Sequence, residues 1–337
     1  MTNSILVTGA AGLFGANFSR YLLKNGYRVI GIDDLSGGYE EFLPSHNNFK
    51  FVKIDLGTVS QESLLDIFKE NKIDFVFHFA AYAACGLSPF IREFNYRNNL
   101  MASIKLINVS VNTNVKKFVF TSSMTVYGEG IPPFTEDMIL SPQTSDPYAI
   151  AKHAVELDLF DAHKRFGLQY NIIRPHNVHG VYQNIWDRYR NVMGIFIRKA
   201  INNEPLTIYG DGSQIRSFSD IDYYMVPMEH MIYKYHNETF NIGADQPTTI
   251  LELAHSVQLA AKRIQNKDID IVHLEPRQEV HIAWCDHTKA KNIINFKDET
   301  DLDTLITKVY CWALTQPNKE VKNMNYEIEQ SLYSYWK

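Results

Sequence analysis

The amino-acid sequence predicts an α/β protein built on a doubly wound, mostly parallel sheet. Short apolar runs rich in β-branched and aromatic residues alternate with helical segments, and a glycine-rich turn follows the first run. Polar candidate residues come where a run ends or a helix begins. Because ligands of such sheets bind at the carboxyl ends of the strands, these positions predict the functional site.

The first strand, Ser4 to Thr8, leads into a glycine turn and then a helix to about Asn25. The turn has the spacing Gly-x-x-Gly-x-x-Gly, and small residues there let the backbone approach a pyrophosphate at the positive end of the helix. We therefore predict a Rossmann-type dinucleotide site. Its candidate residues in this turn are Gly9, Gly12, Leu13, Phe14 and Gly15.

The second strand, from Arg28 to Ile32, ends in Asp33, about twenty residues past the glycines. A carboxylate at this place binds the ribose hydroxyls of a dinucleotide. Since it repels a 2′-phosphate, the predicted cofactor is NAD rather than NADP. A tight turn capped by Asp is the non-functional explanation, and the combination of strand, glycines and acid argues against it.

Three more strands and their helices continue the alternation. The predicted elements are strands over 49–54, 74–79 and 169–174 and helices over 60–71 and 90–113. Asp55 and Leu56 follow the third strand as a plausible adenine contact. Ala80 and Ala81 follow the fourth strand, where small side chains let a flat cofactor lie close.

The candidate catalytic residues come from the fifth strand, which begins at Phe118, and from the helix that follows it. Thr121 and Ser123 end the strand, while Tyr148 and Lys152 are four apart and so share one helix face. The Lys ammonium is expected to lower the pKa of the phenol, which can then take a proton from a sugar hydroxyl. A Tyr-x-x-x-Lys pair is weak evidence alone, since a surface Lys packed along an aromatic ring gives the same pattern.

Composition limits the remaining possibilities. The chain has 337 residues, 45% of them apolar, with a formal net charge of −5, which gives no electrostatic case for nucleic acid or an anionic membrane. No apolar run approaches the ~18 residues of a membrane span. Three widely spaced cysteines suit neither a disulfide framework nor a zinc site, so we expect no metal and a cytoplasmic location.

Together these residues resemble the extended short-chain dehydrogenase/reductase family, the NAD-dependent nucleotide-sugar epimerases and dehydratases, over nearly the whole chain. Further matching segments are 174–180, 206–212, Arg216, 240–243, Arg277 and Asp286. The resemblance implies an NAD-binding Rossmann domain over 1–174, with 217–243 returning to it. It also implies a smaller C-terminal nucleotide-sugar-binding lobe from 175–216 and 244–337, and a homodimer formed through helices 99–113 and 148–166.

The resemblance also extends the set of site residues. It implies that Ser123, Tyr148 and Lys152 are catalytic. It adds Asn99, Thr121, Tyr148, Lys152, Pro175 and Val178 to the cofactor contacts. The implied substrate contacts are Ser123, Thr125, Tyr148, Asn177, Asn191, Arg216 and Arg277.

The motifs are closest to those of UDP-hexose 4-epimerases. Met124 and Thr125 follow Ser123, where related dehydratases carry acids. GDP-sugar 3,5-epimerases use a cysteine at about Thr125 and a lysine near Asn191, and neither is present. The resemblance therefore favours C4 epimerisation of a UDP-hexose or UDP-N-acetylhexosamine through a 4-keto intermediate. A GDP-sugar 3,5-epimerase, a nucleotide-sugar dehydrogenase or dehydratase, and a non-catalytic NAD-binding regulator remain alternatives.

Three other features have weaker interpretations. A small residue near Ala283 would admit 2-acetamido sugars, because the matching position gates that group in 4-epimerases. His176 and His179 are expected to be structural or to line the substrate site, since no third metal ligand accompanies them. The charged segment 187–190 could reach the nucleotide or be solvated, and we favour the solvated interpretation.

Overall fold

A computed structural model of the protein describes residues 3–140, 146–276, 280–321 and 323–336. Its strands are β1 (Ser4–Thr8), β2 (Arg28–Asp33), β3 (Phe49–Lys53), β4 (Ile73–His78), β5 (Lys117–Thr121), β6 (Tyr170–Pro175), β7 (Val178–His179), β8 (Leu206–Tyr209), β9 (Ile215–Ser217), β10 (Ser219–Asp220), β11 (Glu238–Ile242), β12 (Pro247–Thr249) and β13 (Ile271–Leu274). Seven of them form a parallel sheet in the order β11-β6-β5-β4-β1-β2-β3. The predicted doubly wound α/β fold is confirmed.

Helices cover both faces of this sheet. The α-helices of the described residues are α1 (Leu13–Lys24), α2 (Gln61–Asn71), α3 (Arg92–Tyr96), α4 (Ala102–Asn112), α5 (Pro147–Phe166), α6 (Val192–Ile201), α7 (Met225–Tyr233), α8 (Ile250–Gln265), α9 (Thr288–Ile294) and α10 (Leu302–Leu314). In β1, Ile5 and Val7 pack with α1, α7 and α9, whereas Leu6 packs with α2, α4 and α5. A strand buried on both faces explains the continuous apolar run that predicted it.

A second, smaller lobe has its own apolar core. Helices α6, α8 and α10 pack together there and against β8, which pairs with β13. β11 returns to the edge of the main sheet beside β6. Within the described residues, no helix is both long and apolar enough to cross a bilayer.

Candidate active site

A cleft of about 1500 Å³ runs along the carboxyl ends of the parallel strands. The ends of five strands supply residues to it: Gly9 after β1, Asp33 of β2, Ala80 after β4, Thr121 of β5 and Pro175 of β6. Sites for a single small molecule usually measure ~300–1000 Å³, so this cleft has room for a dinucleotide and a second ligand.

Most of the predicted site residues line this cleft. They are Gly9, Gly12, Leu13, Phe14, Asp33, Asp55, Leu56, Ala80, Ala81, Thr121, Ser123, Thr125, Tyr148, Lys152, Pro175, Asn177, Val178, Asn191 and Arg216. The structure does not bring Asn99 to the cleft, because its buried amide bonds the backbone N–H and carbonyl of Tyr82. Gly15 packs α1 onto the glycine turn instead of facing the cleft. Arg277 lies outside the described residues.

The glycine turn leaves no space for side chains at two of its positions. Gly9 has φ +68°, and a Cβ there would lie 2.8 Å from the backbone nitrogen of Ala80. A Cβ on Gly15 would lie 2.1 Å from the carbonyl oxygen of Gly9. Gly12 is the N-cap of α1 and adds no side-chain hydrogen bond, so the first N–H groups of the helix remain available to an anion.

Asp33 joins the end of β2 to this turn. One carboxylate oxygen accepts a 3.0 Å hydrogen bond from the N–H of Ala11, and the other accepts a 2.8 Å bond from the N–H of Leu35. Burial raises the pKa of Asp33, while these two backbone bonds act in the opposite direction. Each oxygen keeps a further acceptor site, so the side chain remains suited to a ribose diol.

The three predicted catalytic side chains meet at the end of β5. The Oγ of Ser123 accepts bonds from the N–H of Thr125, at 3.2 Å, and from its hydroxyl, at 3.0 Å. The Nζ of Lys152 lies 5.8 Å from the centre of the Tyr148 ring and donates a 2.7 Å bond to the carbonyl of Thr121. The local sequence positions α5 as predicted, with Asp146 as its N-cap.

The electrostatics of the pair differ from the prediction. Burial raises the pKa of the Tyr148 phenol, and a side-chain hydrogen bond with Ser123 acts in the opposite direction. Burial also lowers the pKa of Lys152 to about 7, against the charge of Glu156, which raises it. In the chain alone the pKa of Tyr148 is therefore raised, not lowered as expected, because burial outweighs the groups that lower it, Ser123 and the charge of Arg190.

Several buried polar atoms beside these residues lack protein partners. The Oγ1 of Thr121, the Oγ of Ser122 and the Nδ2 of Asn177 have no hydrogen-bond partner among the described residues. All three residues line the cleft. Since buried polar groups are normally satisfied, these atoms are suited to bonding a ligand.

Asp187 and Arg190 are not among the site residues predicted from the sequence, yet Arg190 lines the cleft. Their side chains are 8% and 15% exposed, and the Nε of Arg190 donates a 2.8 Å bond to the Oδ2 of Asp187. The interpretation of this segment as solvated is therefore wrong for both residues. The available signal was the position of Arg190, immediately before the predicted substrate contact Asn191.

The C-terminal segment 323–336 also contributes to the cleft. Tyr333, Tyr335 and Trp336 line it, and the ring of Tyr335 lies 4.4 Å, centre to centre, from that of Tyr209. The segment is anchored by Glu327, whose carboxylate accepts bonds from two backbone N–H groups at the start of α3. Nothing in the local sequence indicates this contact, because it joins residues more than 230 positions apart.

His176 and His179 are buried at the cleft wall, as expected for structural or lining residues. Burial lowers their pKa values to about 3 and about 4, respectively, so both are neutral near pH 7. His176 stacks on His287 with ring centres 4.9 Å apart. Among the described residues no group of three or more potential ligands could hold a metal ion.

Residues 5–243 match the sequence profile of the NAD-dependent epimerase/dehydratase family. The chain belongs to this family. It is 28% identical to a UDP-glucuronate 4-epimerase of Thermodesulfobacterium geofontis, over 91% of this chain and 95% of that one. A UDP-glucose 4-epimerase of Thermotoga maritima, solved with UDP-glucose, is 30% identical with a TM-score of 0.85, over 92% of this chain and 98% of that chain. A UDP-N-acetylglucosamine 4-epimerase of Methanobrevibacter ruminantium, solved with UDP-N-acetylmuramic acid, is 30% identical with a TM-score of 0.84, over 94% of this chain and all of that chain.

As a member of the NAD-dependent epimerase/dehydratase family, the protein is an enzyme whose cofactor is NAD. The residues at the cleft fit that cofactor. A Cβ at Gly9 would overlap the backbone of Ala80, a Cβ at Gly15 would overlap the backbone of the turn, and Asp33 presents a carboxylate at the end of β2. These features match the pyrophosphate and ribose requirements of a dinucleotide.

Proposed function

We propose that the protein inverts carbon 4 of a UDP-hexose or UDP-N-acetylhexosamine, with NAD as its cofactor. The observation that carries this proposal is the meeting of Ser123, Tyr148 and Lys152 at the end of β5, inside a cleft that also contains the glycine turn. The three similar proteins described above are all UDP-sugar 4-epimerases, which supports the same chemistry here.

Each of the three side chains has a distinct task in this reaction. A cofactor held by the glycine turn and Asp33 would supply hydride transfer: its oxidised form would accept the hydride of C4, and its reduced form would give that hydride back to the opposite face of a 4-keto sugar. Tyr148 removes the proton from O4 and returns it to O4 when the hydride comes back to C4, and Ser123 hydrogen-bonds that oxygen. Because burial raises the pKa of Tyr148, the phenol needs nearby positive charge, which protonated Lys152 supplies beside the ring.

The remainder of the cleft is suited to a nucleotide diphosphate. Arg216 lines it, and its guanidinium donates bonds to the carbonyls of Val280 and His281, which hold the side chain in place. We assign Arg216 to the substrate diphosphate, since a guanidinium can bind two oxygens at once. Asn177 and Asn191 are assigned to the same substrate, and Arg277 is retained as a proposed contact.

The sugar end of the cleft bears on the choice between hexoses. Ala283 is 6% exposed, lines the cleft and packs with Met124 and Val126 just after the catalytic serine. Its methyl side chain takes little space. We therefore propose that 2-acetamido sugars are accepted, and the substrate panel below tests this.

The expected domain division and compartment are also proposed. An NAD-binding unit over 1–174 and 217–243 is supported by β11, which lies in the main sheet. A nucleotide-sugar unit over 175–216 and 244–337 is supported by the separate core of α6, α8 and α10. The described structure contains no disulfide bond between the three cysteines, which suits the reducing cytoplasm.

A homodimer through α4 and α5 is supported by exposed apolar side chains on these helices. Ile150, Leu157 and Phe160 are 41%, 54% and 39% exposed on α5, and Met101 is 50% exposed just before α4. We expect Leu157→Glu to give monomers in light scattering. Leu259→Glu, at a position of α8 that is 65% exposed, should leave the assembly unchanged.

Proton NMR in deuterated water tests the reaction. Purified protein and NAD⁺ are incubated with UDP- and GDP-hexoses and with their N-acetylhexosamine counterparts. A C4 epimer without deuterium on carbon is expected, because the same hydride returns to C4. Deuterium at C3 or C5 would replace the proposal with 3,5-epimerisation, accumulation of NADH would indicate a dehydrogenase, and no product from any sugar would favour a non-catalytic NAD-binding regulator.

A further inference from the structure

We propose that Arg190, which belongs to the segment between β7 and α6, lies beside the glycine turn and binds the diphosphate of the bound cofactor. The inference rests on the proposed function for its choice of ligand. It gives the segment before α6 a direct part in retaining NAD, in addition to the predicted cofactor contacts Pro175 and Val178 of the same lobe.

The position of the guanidinium is the first observation. A Cβ on Gly37 would lie 2.7 Å from the Nη2 of Arg190, so the side chain reaches across the cleft to the loop after β2. The neighbouring Gly38 packs on the glycine turn, since a Cβ there would lie 2.4 Å from the carbonyl oxygen of Ala11. Arg190 therefore lies beside the turn that receives the pyrophosphate.

The guanidinium is held in a fixed orientation. Its Nε donates to Asp187, and its centre lies 4.7 Å from the centre of the Tyr82 ring. The second oxygen of Asp187 accepts a 2.8 Å bond from the N–H of Tyr189, which fixes the carboxylate in turn. Within the guanidinium of Arg190, the Nε is the only nitrogen that has a hydrogen-bond partner among the described residues. The two Nη groups therefore remain available to a ligand.

The charge of this side chain suits a dianion. Burial by itself would lower the pKa of Arg190, but the charge of Asp187 raises it above its ordinary value, so the guanidinium stays cationic. If the ion pair of Arg190 with Asp187 were only structural, it would use one N–H donor of the guanidinium and leave the other donors facing the cleft. Two parallel hydrogen bonds from the Nη groups to phosphate oxygens would bring a further two of these donors into use.

Two diphosphates compete for this guanidinium in the proposed reaction, one in the cofactor and one in the nucleotide sugar. The contact with Gly37 favours the cofactor, because this loop directly follows the strand that ends in Asp33. Arg216 is already assigned to the diphosphate of the substrate.

Calorimetric titration of Arg190→Gln with NAD⁺, ADP-ribose and UDP tests the assignment. NAD⁺ and ADP-ribose share the adenosine diphosphate, and UDP carries the substrate's diphosphate. We expect affinity for NAD⁺ and ADP-ribose to fall about 10- to 100-fold, as for loss of hydrogen bonds to a charged group, while UDP affinity changes less than about twofold. Arg190→Lys should give an intermediate loss, because it keeps the charge without the fork.

Arg263→Gln is the matched control. Arg263 is exposed on α8, away from the cleft, and this variant should bind all three ligands as the unaltered protein does. Thermal unfolding without ligand shows whether Arg190→Gln is folded. Asp187→Asn provides a second variant, which keeps Arg190 but weakens the contact that orients its guanidinium. Weaker UDP binding with unchanged ADP-ribose binding, or no change in either, would overturn the proposal. Failure of the epimerase assay would not affect these titrations.

Discussion

The ammonium of Lys152 donates a 2.7 Å hydrogen bond to the backbone carbonyl of Thr121 at the end of β5. This lysine is 2% exposed, and burial lowers its pKa to about 7. One carbonyl oxygen replaces only part of the hydration that a free ammonium has in water. The protonated site therefore reduces the stability of the folded chain when no cofactor is bound.

Replacing this lysine is expected to stabilise the protein while abolishing catalysis. The folded pKa of about 7 lies below the unfolded value of ~10.4, so folding disfavours the protonated form at and below neutral pH. Lys152→Met should raise the free energy of unfolding by roughly 2–4 kcal/mol at pH 7. The gain should shrink as the pH rises towards ~10.4, where the unfolded lysine also loses its proton.

Denaturant unfolding without NAD measures this effect at pH 7 and pH 9. Lys164→Met is the control, since Lys164 is exposed on the same helix and its replacement should change little. Equal or lower stability of Lys152→Met at pH 7 would contradict the interpretation.

Alanine substitutions at two glycines of the same turn should have different effects, one on folding and the other on cofactor binding. Gly15→Ala places a Cβ 2.1 Å from the carbonyl oxygen of Gly9 and should destabilise the chain by about 1–3 kcal/mol or more. Gly12→Ala meets only that oxygen, at 3.4 Å, so folding should be nearly unaffected. Because Gly12 faces the cleft, its Cβ should instead weaken NAD⁺ binding by roughly tenfold or more.

Thermal unfolding without NAD and calorimetric titration with NAD⁺ distinguish the two variants. The opposite pattern, with Gly12→Ala unstable and Gly15→Ala fully stable, would show that the packing of α1 on the turn has been misinterpreted.

The sequence predicts those parts of the site whose geometry depends on neighbouring residues in the chain. The glycine turn, the Asp33 carboxylate and the Tyr148–Lys152 pair each depend on one strand end and the next few residues. Over such a short stretch the sequence pattern largely determines the backbone geometry. Arg190 and the C-terminal aromatic segment acquire their roles only through contacts with residues far away in the chain. Gly37 and the start of α3 are the sites of those contacts.

Asn99 shows that a helix can be predicted correctly while the direction of one of its side chains is not, because of a local irregularity in the helix. The predicted helix over 90–113 is present as α3, a π-helical segment over Arg97–Met101, and α4. A π segment has a wider turn than an α-helix and so changes which residues face a given side. Asn98 lines the cleft in this structure, while the amide of Asn99 holds the backbone of Tyr82.

Buried histidines should make the folded chain sensitive to mild acid. Burial lowers the pKa values of His78 and His176 to about 3 and that of His179 to about 4. Each lies below the unfolded value of ~6.5, so stability is fully present above that pH and is lost as the pH falls towards the folded values. Between pH 7 and pH 5 the loss should be about 2 kcal/mol for each histidine.

Unfolding curves for His179→Gln at pH 7 and pH 5 measure this contribution. The variant should lose about 2 kcal/mol less than the unaltered protein over that interval, because one protonation site has been removed. His46→Gln is the control, since His46 is exposed. An identical loss in all three proteins would rule out protonation of His179 as a cause of acid sensitivity.

Tyr148 should be required for turnover but not for cofactor binding. Tyr148→Phe keeps the ring and removes the phenolic oxygen, so kcat for epimerisation should fall about 10²- to 10⁴-fold, the usual range for loss of a general base. NAD⁺ affinity should remain within about threefold, as measured by calorimetry. Tyr233→Phe is the control, because Tyr233 is 55% exposed on α7. A variant with unchanged kcat would remove Tyr148 from the mechanism.

Ser123 should affect the pH at which Tyr148 acts. The side-chain hydrogen bond with Ser123 lowers the pKa of the phenol against the opposing effect of burial. Ser123→Ala removes that bond, so the pKa of Tyr148 should rise and the acidic limb of the kcat profile should move to higher pH. Thr125→Val provides a comparison, since Thr125 contacts the same oxygen and has no hydrogen bond to Tyr148. A lower kcat with an unmoved acidic limb would mean that Ser123 acts on the sugar oxygen alone and does not tune the base.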